Sequence, residues 1–486
     1  MEAIVSEVSL LFQSFAKRKE DRIEKLPQSG GDRIYFRLYA GDQTYIAAYS
    51  DNVRENKTFI YCTNHFRSKQ LPMPEILAVN QAETIYIQQD LGTQSLLDIL
   101  EEKGYTQEVY DLYKQTLQEL IKIQVLGNEG FDYNQCLTAK EFGKQAIMSD
   151  LLYFKYYFLD TLKLPYDKQA MLIDFETMST YLDKAGDHYF LYRDFQSRNV
   201  IVNNGKVHFI DYQGGMKGAL QYDVASLLWQ AKANLPAEWK QRLLEGYIGE
   251  TEKNIDSIID KQSFISAYNG YVLVRLLQVL GAYGFRGLFE RKAHFLTSIP
   301  LALRNLKFFI ENHGIRISTP ELDRMLETIT QPEIVARFEP VKATEKTPLV
   351  VKIYSFSYKK SLPKDDSENG GGFLFDMRGI LNPGRFEPYK YLTGRDKEVK
   401  DFLEQNTKMP EFLNSAFNVV DIAVEDYIKR GFGNLMVGFG CTGGQHRSVY
   451  AADALARHLK NKFAVKVEVN HLIQDAKNWV NVPEPV

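Results

Sequence analysis

The chain has 486 residues, 44% hydrophobic and 25% charged, which is too long for one core and too ordinary in composition for a disordered or fibrous protein, so two or three domains are expected. Its 59 Lys and Arg against 62 Asp and Glu leave a net charge of −3, which argues against a broadly basic nucleic-acid-binding surface while leaving room for a local patch. Cys62, Cys136 and Cys441 lie far apart and support neither a disulfide framework nor a cysteine zinc site, in keeping with a reducing cytoplasm.

The first residues, MEAIVSEVSLLFQSFAKRKE, mix acids and apolar side chains at helical spacing and lack the order of a signal peptide. No uninterrupted apolar run reaches the length of a membrane span, so no membrane partner is expected. Strand-like runs follow, broken by Ser29-Gly30-Gly31; glycines there let backbone N–H groups approach a phosphate, although a plain hairpin turn explains them too. The next strand, Thr44 to Tyr49, contains no lysine. The run ETIYIQQDLGTQSLLDIL reads as a strand ending at Gln88-Gln89-Asp90-Leu91-Gly92, with a helix starting near Ser95. From Gln107 to Ala185 apolar positions such as Tyr110, Tyr113, Leu117, Leu120 and Ile121 recur every three or four residues, the mark of packed helices. The aromatic run from Leu151 to Leu159 fits the core face of such a helix better than a stacking platform.

The most informative stretch is FLYRDFQSRNVIVNNGKVHFIDYQGG, Phe190 to Gly215. Two β-branched runs flank Asn204-Gly205, a dipeptide that favours a tight hairpin because both positions tolerate positive φ. Folding back there brings Asn199 and Asp211 to the open end of the hairpin, with Asp194 just before them. A proton acceptor beside an amide oxygen and a carboxylate suits a hard-cation site, since Mg²⁺ takes few protein oxygens and completes its shell with phosphates. The spacing Asp-x4-Asn and the later aspartate resemble the catalytic and metal loops of the aminoglycoside phosphotransferase and choline-kinase branch, with Tyr192-Arg193-Asp194 and Asp211-Tyr212-Gln213-Gly214 in the family's motif positions. The resemblance implies a two-lobed protein-kinase-like fold, ATP and Mg²⁺ as cofactors, Asp194 as the base, and Asn199 and Asp211 as metal ligands. It also implies that Ser29, Gly30 and Gly31 cover ATP, that Gln89 and Asp90 mark the crossing that holds the adenine, and that Glu55 lies on the helix supporting the phosphate grip. The missing strand lysine departs from the pattern, and Arg33 or Arg37 is the candidate to supply its charge.

After the hairpin, Asp223 begins a helical pattern, GALQYDVASLL, where it can act as an N-cap. YDVASLL, LLQVLGAYGF (276–285) and SIPLALRNL resemble the bacterial anomeric kinases of N-acetylmuramate and N-acetylglucosamine. That likeness implies a small sugar as substrate, phosphorylated at C1, and a place in peptidoglycan recycling. The expected phosphotransferase domain covers residues 1–330, followed by a polar, proline-containing linker over 331–350.

Residues 351–477 alternate strand and helix patterns, as in VKIYSFSY, FLFDMRG, NLMVGFG and VKVEVN, which predicts a smaller α/β domain with a mostly parallel sheet; residues 478–486 form a tail. Between a strand and a helix lies Gly440-Cys441-Thr442-Gly443-Gly444-Gln445-His446-Arg447-Ser448, a loop suited to an anion. Its Cys-x5-Arg-Ser spacing also meets the requirement of a cysteine phosphatase, in which Cys441 would attack phosphorus. The loop, with Phe375-Asp376-Met377-Arg378, Asn382-Pro383 and Leu392-Thr393-Gly394, resembles the carboxy-terminal domain of the RapZ family of RNase adapters. The resemblance implies a phosphorylated amino sugar held by residues 441–448 and Arg378, and RNA as a partner. Residues 351–486 hold 19 Lys and Arg against 17 Asp and Glu and end in DAKNWVNVPEPV rather than a basic tail, so RNA has little electrostatic drive; Lys359, Lys360 and Arg378 are the residues to test. No GxxxxGK[ST] loop occurs. Ligand sensing is therefore favoured over phosphatase chemistry. The competing reading of the whole chain is a pseudokinase adapter that binds nucleotide, metabolite or small RNA.

Overall fold

A computed structural model describes residues 2–26, 33–185, 188–255, 258–290, 293–339, 341–360, 362–367 and 371–481. It divides into two compact units, Met1–Ala282 with Leu301–Ile334, and Tyr283–Pro300 with Val335–Val486. The expected connector therefore groups with the second unit from Val335 onward: Ala343 donates its amide to Phe463 at 2.7 Å, and Leu349 is fully buried.

In the first unit, β1 (Arg22–Lys25), β2 (Ile34–Ala40), β3 (Gln43–Tyr49), β4 (Ile76–Val79) and β5 (Ile85–Gln89) form an antiparallel sheet in the order β1-β2-β3-β5-β4. Side chains alternate across its faces. Phe36, Ala47 and Ile87 pack with Val8 and Phe12 of the amphipathic helix Glu2–Ala16. On the opposite face the register aligns Tyr35, Ala48 and Tyr86, and Phe59 of the helix Val53–Ser68 stacks on Tyr86 at 5.1 Å.

The remainder of this unit is mainly helical. Ser95 caps the helix Leu96–Lys103 through a reciprocal box with Asp98. The periodic region resolves into Gln107–Asn128, Lys144–Phe154 and Lys168–Asp183, with the aromatic run continuing as a π turn over Lys155–Leu159. Two small pairings complete it: β6 (His188–Leu191) with β9 (Met216–Ala219), and β7 (Val200–Asn203) with β8 (Lys206–Phe209). Lys261–Phe289 is a helical stretch long and apolar enough to cross a membrane, and 56% of its most apolar window is buried inside the protein, as in a core helix.

The second unit holds β10 (Val350–Ser357), β11 (Phe373–Asp376), β12 (Asn434–Cys441) and β13 (Lys466–His471), all parallel, in the order β11-β12-β10-β13. The central strands bury Val351, Ile353, Val437 and Phe439 beneath the helices Met409–Arg430 and Arg447–Phe463. The central strand β12, NLMVGFGC, is buried along almost its whole length, as a parallel strand covered on both faces is, whereas the edge strand β13, KVEVNH, alternates.

The Ser95 box lies beside the hairpin, where Val202 donates its amide to Gln94 at 3.0 Å. Ser95→Ala is expected to cost about 1 kcal/mol of stability, read as a lowered denaturant midpoint.

Candidate active site and anion loop

Asn204 and Gly205 take φ of +50° and +71°, and the β7–β8 register closes a two-residue turn between Asn203 and Lys206. At the other end, Ile210 donates its amide to Asn199 at 3.1 Å, so the residues flanking the hairpin meet. Asn199 Nδ2 donates to the backbone oxygen of Asp194 at 2.8 Å and to Asp211 Oδ2 at 3.3 Å. With its nitrogen engaged, Asn199 has Oδ1 to offer a cation. Burial first, and then the negative charge of Asp194, push the Asp211 carboxyl above its ordinary range. A divalent cation would relieve both effects, so the donor set fits Mg²⁺ completed by phosphate oxygens. Among the described residues no group of three or more His, Cys, Asp or Glu could hold a metal, as befits a site built from one carboxylate and one amide.

The backbone here is constrained on both sides. Arg193 and Asp211 take φ of +78° and +70°, a region costly for residues with a Cβ. Arg193 is held by a two-pronged pair with Asp150 at 2.8 and 2.9 Å. Tyr212 follows Asp211 into the core, stacks on Phe59 at 5.0 Å and shares a 2.6 Å hydrogen bond with Thr63. Glu55, Phe59 and Thr63 recur every four residues, so one face of the helix Val53–Ser68 grips the segment 211–213.

Sequence reasoning missed Asp223 in this role. Among the described contacts it does not cap its own helix, Gln221–Leu228, which has no side-chain cap; its carboxylate accepts the amides of Tyr192 at 2.7 Å and Arg193 at 3.0 Å, and Gln124 Nε2 at 3.2 Å. Burial pushes this carboxyl up to about 7, while the two backbone amides pull it back. Asp223 thus ties the loop carrying Asp194 to the helical core.

The nucleotide-side expectations divide. Ser29, Gly30 and Gly31 lie outside the described residues. Arg33 reaches Glu55 at 3.0 Å. The Asp90 carboxylate pairs with Arg37 at 2.7 Å and accepts the Gly92 amide at 2.9 Å, which makes its side chain a brace for the crossing rather than a ligand. Gln89 is the exposed last residue of β5, its amide bonded to Glu75 at 2.9 Å.

In the second unit, β12 ends at Cys441 and the loop leads into the helix Arg447–Phe463. Gly444, at φ +68°, donates its amide to Cys441 Sγ at 3.1 Å, and Ser448 lies 3.2 Å from that sulfur. Thr442 is fixed by Ser357 at 2.6 Å, Gln445 by the carbonyls of Lys390 and Leu392 at 2.9 and 2.7 Å, and His446 by that of Tyr389 at 2.8 Å. A Cβ on Gly443 would meet nothing, so that backbone is open to a ligand. Arg447 Nη1 donates to the carbonyls of Met377, Arg378 and Ile380, the last at 2.6 Å, and Nη2 contacts Thr442 Oγ1 at 3.4 Å. The expectation of nucleophilic attack meets two obstacles: Cys441 is only 2% exposed, and Arg447 Nη1 is committed to main-chain carbonyls, leaving Nε as the donor without a hydrogen-bond partner among the described residues. Arg378 is exposed, pairs with Asp376 at 2.7 Å and lies 4.2 Å over the Tyr358 ring.

Residues 23–256 match the phosphotransferase enzyme family, and residues 349–475 match the RapZ C-terminal domain. Solved structures with similar folds include a choline kinase from Cryptosporidium parvum, at 12% identity over 67% of this chain and 99% of that one with a TM-score of 0.46. Another is a thermostable mutant of the aminoglycoside phosphotransferase APH(4)-Ia, at 16% identity over 61% of this chain and 98% of that one with a TM-score of 0.40. The chain thus combines a phosphotransferase-type domain with a RapZ C-terminal-type domain. It belongs to the same family as nucleotide-binding protein FN1089 of Fusobacterium nucleatum, to which it is 30% identical over 48% of its own length and 76% of that protein. It is also 34% identical to a nucleotide-binding protein of Endomicrobium trichonymphae and 38% identical to one of Thermosipho africanus, over 29% and 25% of this chain. It spans less than half of those two relatives, 46% and 42% of their lengths.

Replacing Asp223 with Ala would leave the amides of Tyr192 and Arg193 without their acceptor, at about 1–3 kcal/mol each, while Gln124 Nε2 keeps the Leu220 carbonyl. Asp223→Ala is expected to lower the denaturant midpoint strongly, and amide exchange at Tyr192 and Arg193 should accelerate.

Proposed function

We propose that the first unit is an ATP-dependent kinase of a small sugar hydroxyl, with an N-acetylated amino sugar phosphorylated at C1 as the favoured substrate. The observation that carries this reading is the convergence of Asn199 with Asp211 and with the backbone of Asp194. Asp194 accepts the hydroxyl proton as the substrate oxygen bonds to the γ-phosphorus and the bond from that phosphorus to the bridging oxygen breaks, releasing ADP; Asn199 and Asp211 would hold the cation. Bound ATP and Mg²⁺ supply the phosphoryl group and neutralise its charge. Asp223 and Arg193 hold the loop, so the base needs no rearrangement to meet the substrate. The choice of sugar, a role in peptidoglycan recycling and a cytoplasmic setting are supported by the likeness of YDVASLL, LLQVLGAYGF and SIPLALRNL to the anomeric sugar kinases.

The second unit is proposed as a sensor of a phosphorylated amino sugar. Support comes from the loop 441–448, where backbone groups, a helix start and Arg447 coincide. RNA finds little support in a domain whose charges nearly cancel. The domain division follows this reading: kinase over 1–330, connector over 331–350, sensor over 351–477 and tail over 478–486.

Asp194→Asn is expected to lower turnover by about 10²–10⁴-fold with the fold intact. The measurement is phosphorus NMR of ATP, Mg²⁺ and a panel of N-acetylated sugars. Nucleotide binding without turnover on any acceptor would favour a regulatory nucleotide-binding module instead. For the second unit, calorimetric titration with amino-sugar phosphates should show binding that Cys441→Ser retains. Arg447→Ala should weaken it by about 1.5–3 kcal/mol, the value of a charged hydrogen bond.

A further inference from the structure

Arg33 precedes β2 directly and is only 7% exposed. A buried guanidinium normally spends all its donors. Here Nη1 reaches the Tyr35 hydroxyl at 3.4 Å, whereas Nε and Nη2 have no hydrogen-bond partner among the described residues. Nη2 lies 3.0 Å from Glu55 Oε1, close enough for charge pairing but out of line for a hydrogen bond. Such orphaned donors are costly unless something else binds them.

Their surroundings indicate what that is. Arg33, Tyr35, Ala48 and Tyr86 share the sheet face that meets the helix Val53–Ser68. The strand β3, QTYIAAY, contributes no cation to that face, and Arg37 is engaged by Asp90 and by the Gly92 carbonyl at 3.3 Å. Glu55, which holds Arg33, also accepts Gln213 Nε2 at 3.3 Å; the same nitrogen donates to Asp211 Oδ1 at 2.9 Å. A continuous chain of polar contacts therefore runs from Arg33 through Glu55 and Gln213 to Asp211. Two donors without hydrogen-bond partners on a planar guanidinium match adjacent phosphate oxygens.

Building on the phosphotransferase reading, we propose that Arg33, braced by Glu55, grips the nucleotide phosphates in place of a strand lysine, and that Gln213 couples this grip to Asp211. Arg33 is then a nucleotide-binding residue, and Glu55 and Gln213 are positioning residues.

The test is binding, without acceptor and independent of turnover. Full-length protein is titrated with Mg·ATP and with adenosine, and circular dichroism verifies the fold. Arg33→Ala should weaken Mg·ATP by tenfold or more, the scale of one or two charged hydrogen bonds, and leave adenosine unchanged. Arg33→Lys should recover part of the loss, because a point charge replaces a fork. Gln213→Leu should weaken Mg·ATP but not adenosine. Equal losses for both ligands, or none for Mg·ATP, would overturn the proposal while leaving the kinase reading intact. A wild-type protein that binds neither ligand would remove both. Should Arg33→Ala fail to fold, Arg33→Lys decides alone: undiminished Mg·ATP affinity would refute the fork.

Discussion

The first unit is organised around a repulsion. Asp194 and Asp211 are two carboxylates drawn to one small region, and burial deprives Asp211 of the water that would otherwise screen it. Neither residue would settle there by its own preference. The surrounding protein therefore supplies donors and anchors: Asn199 bridges the two residues, Gln213 donates to the far oxygen of Asp211, and Asp223 fixes the loop before Asp194. Each acts before any ligand arrives. The positive φ angles of Arg193 and Asp211 fit this account, since strained backbone persists where packing over-determines it. Tyr212, fully buried between Phe59 and Phe66, is the wedge that keeps Asp211 in place.

That division between donors and anchors explains what could be read from the sequence. The Asp-x4-Asn spacing, the hairpin and its Asn204-Gly205 turn are local: turn chemistry and period-two alternation fix them within some twenty residues. The helices from Gln107 onward and the parallel strands of the second unit announce themselves by periodicity in the same way. Asp150 and Asp223 are different, lying 43 and 30 or more positions from their contacts in the loop. Before the fold is known, an acid at the start of a helical pattern looks like a cap, and so Asp223 does. The long helix 261–289 was missed for a related reason: Asn269, Arg275 and Gln278 interrupt its apolar run, and only the assembled core shows how Asn269 and Arg275 are buried.

The crossing after β5 illustrates the reverse. Asp90 stands at a strand-to-helix crossing and invites a ligand role, yet its carboxylate is consumed by Arg37 and by its own turn. What distinguishes Arg33 from Arg37 is not visible in the run RIYFRLYA, where both stand on the same face at even spacing. The difference lies in what faces them. Asp90 satisfies Arg37 in both distance and direction, whereas Glu55 meets Arg33 in distance alone.

The proposed anion loop of the second unit is built by other means. Its loop draws on main-chain geometry, with the helix start at Arg447 and the left-handed Gly444 setting where amides point, and the Thr442 carbonyl and the side chains of residues 445 and 446 engaged in holding the loop's shape. Cys441 takes part in this bracing, since its sulfur accepts the Gly444 amide from beneath. A thiol in that position stabilises the loop most when it stays where it is. A nucleophile must reach phosphorus, and 2% exposure leaves it little room. The same Cys-x5-Arg-Ser spacing therefore fits the proposed binding loop better than a phosphatase, because Cys441 is buried and Arg447 Nη1 turns to the carbonyls of Met377, Arg378 and Ile380.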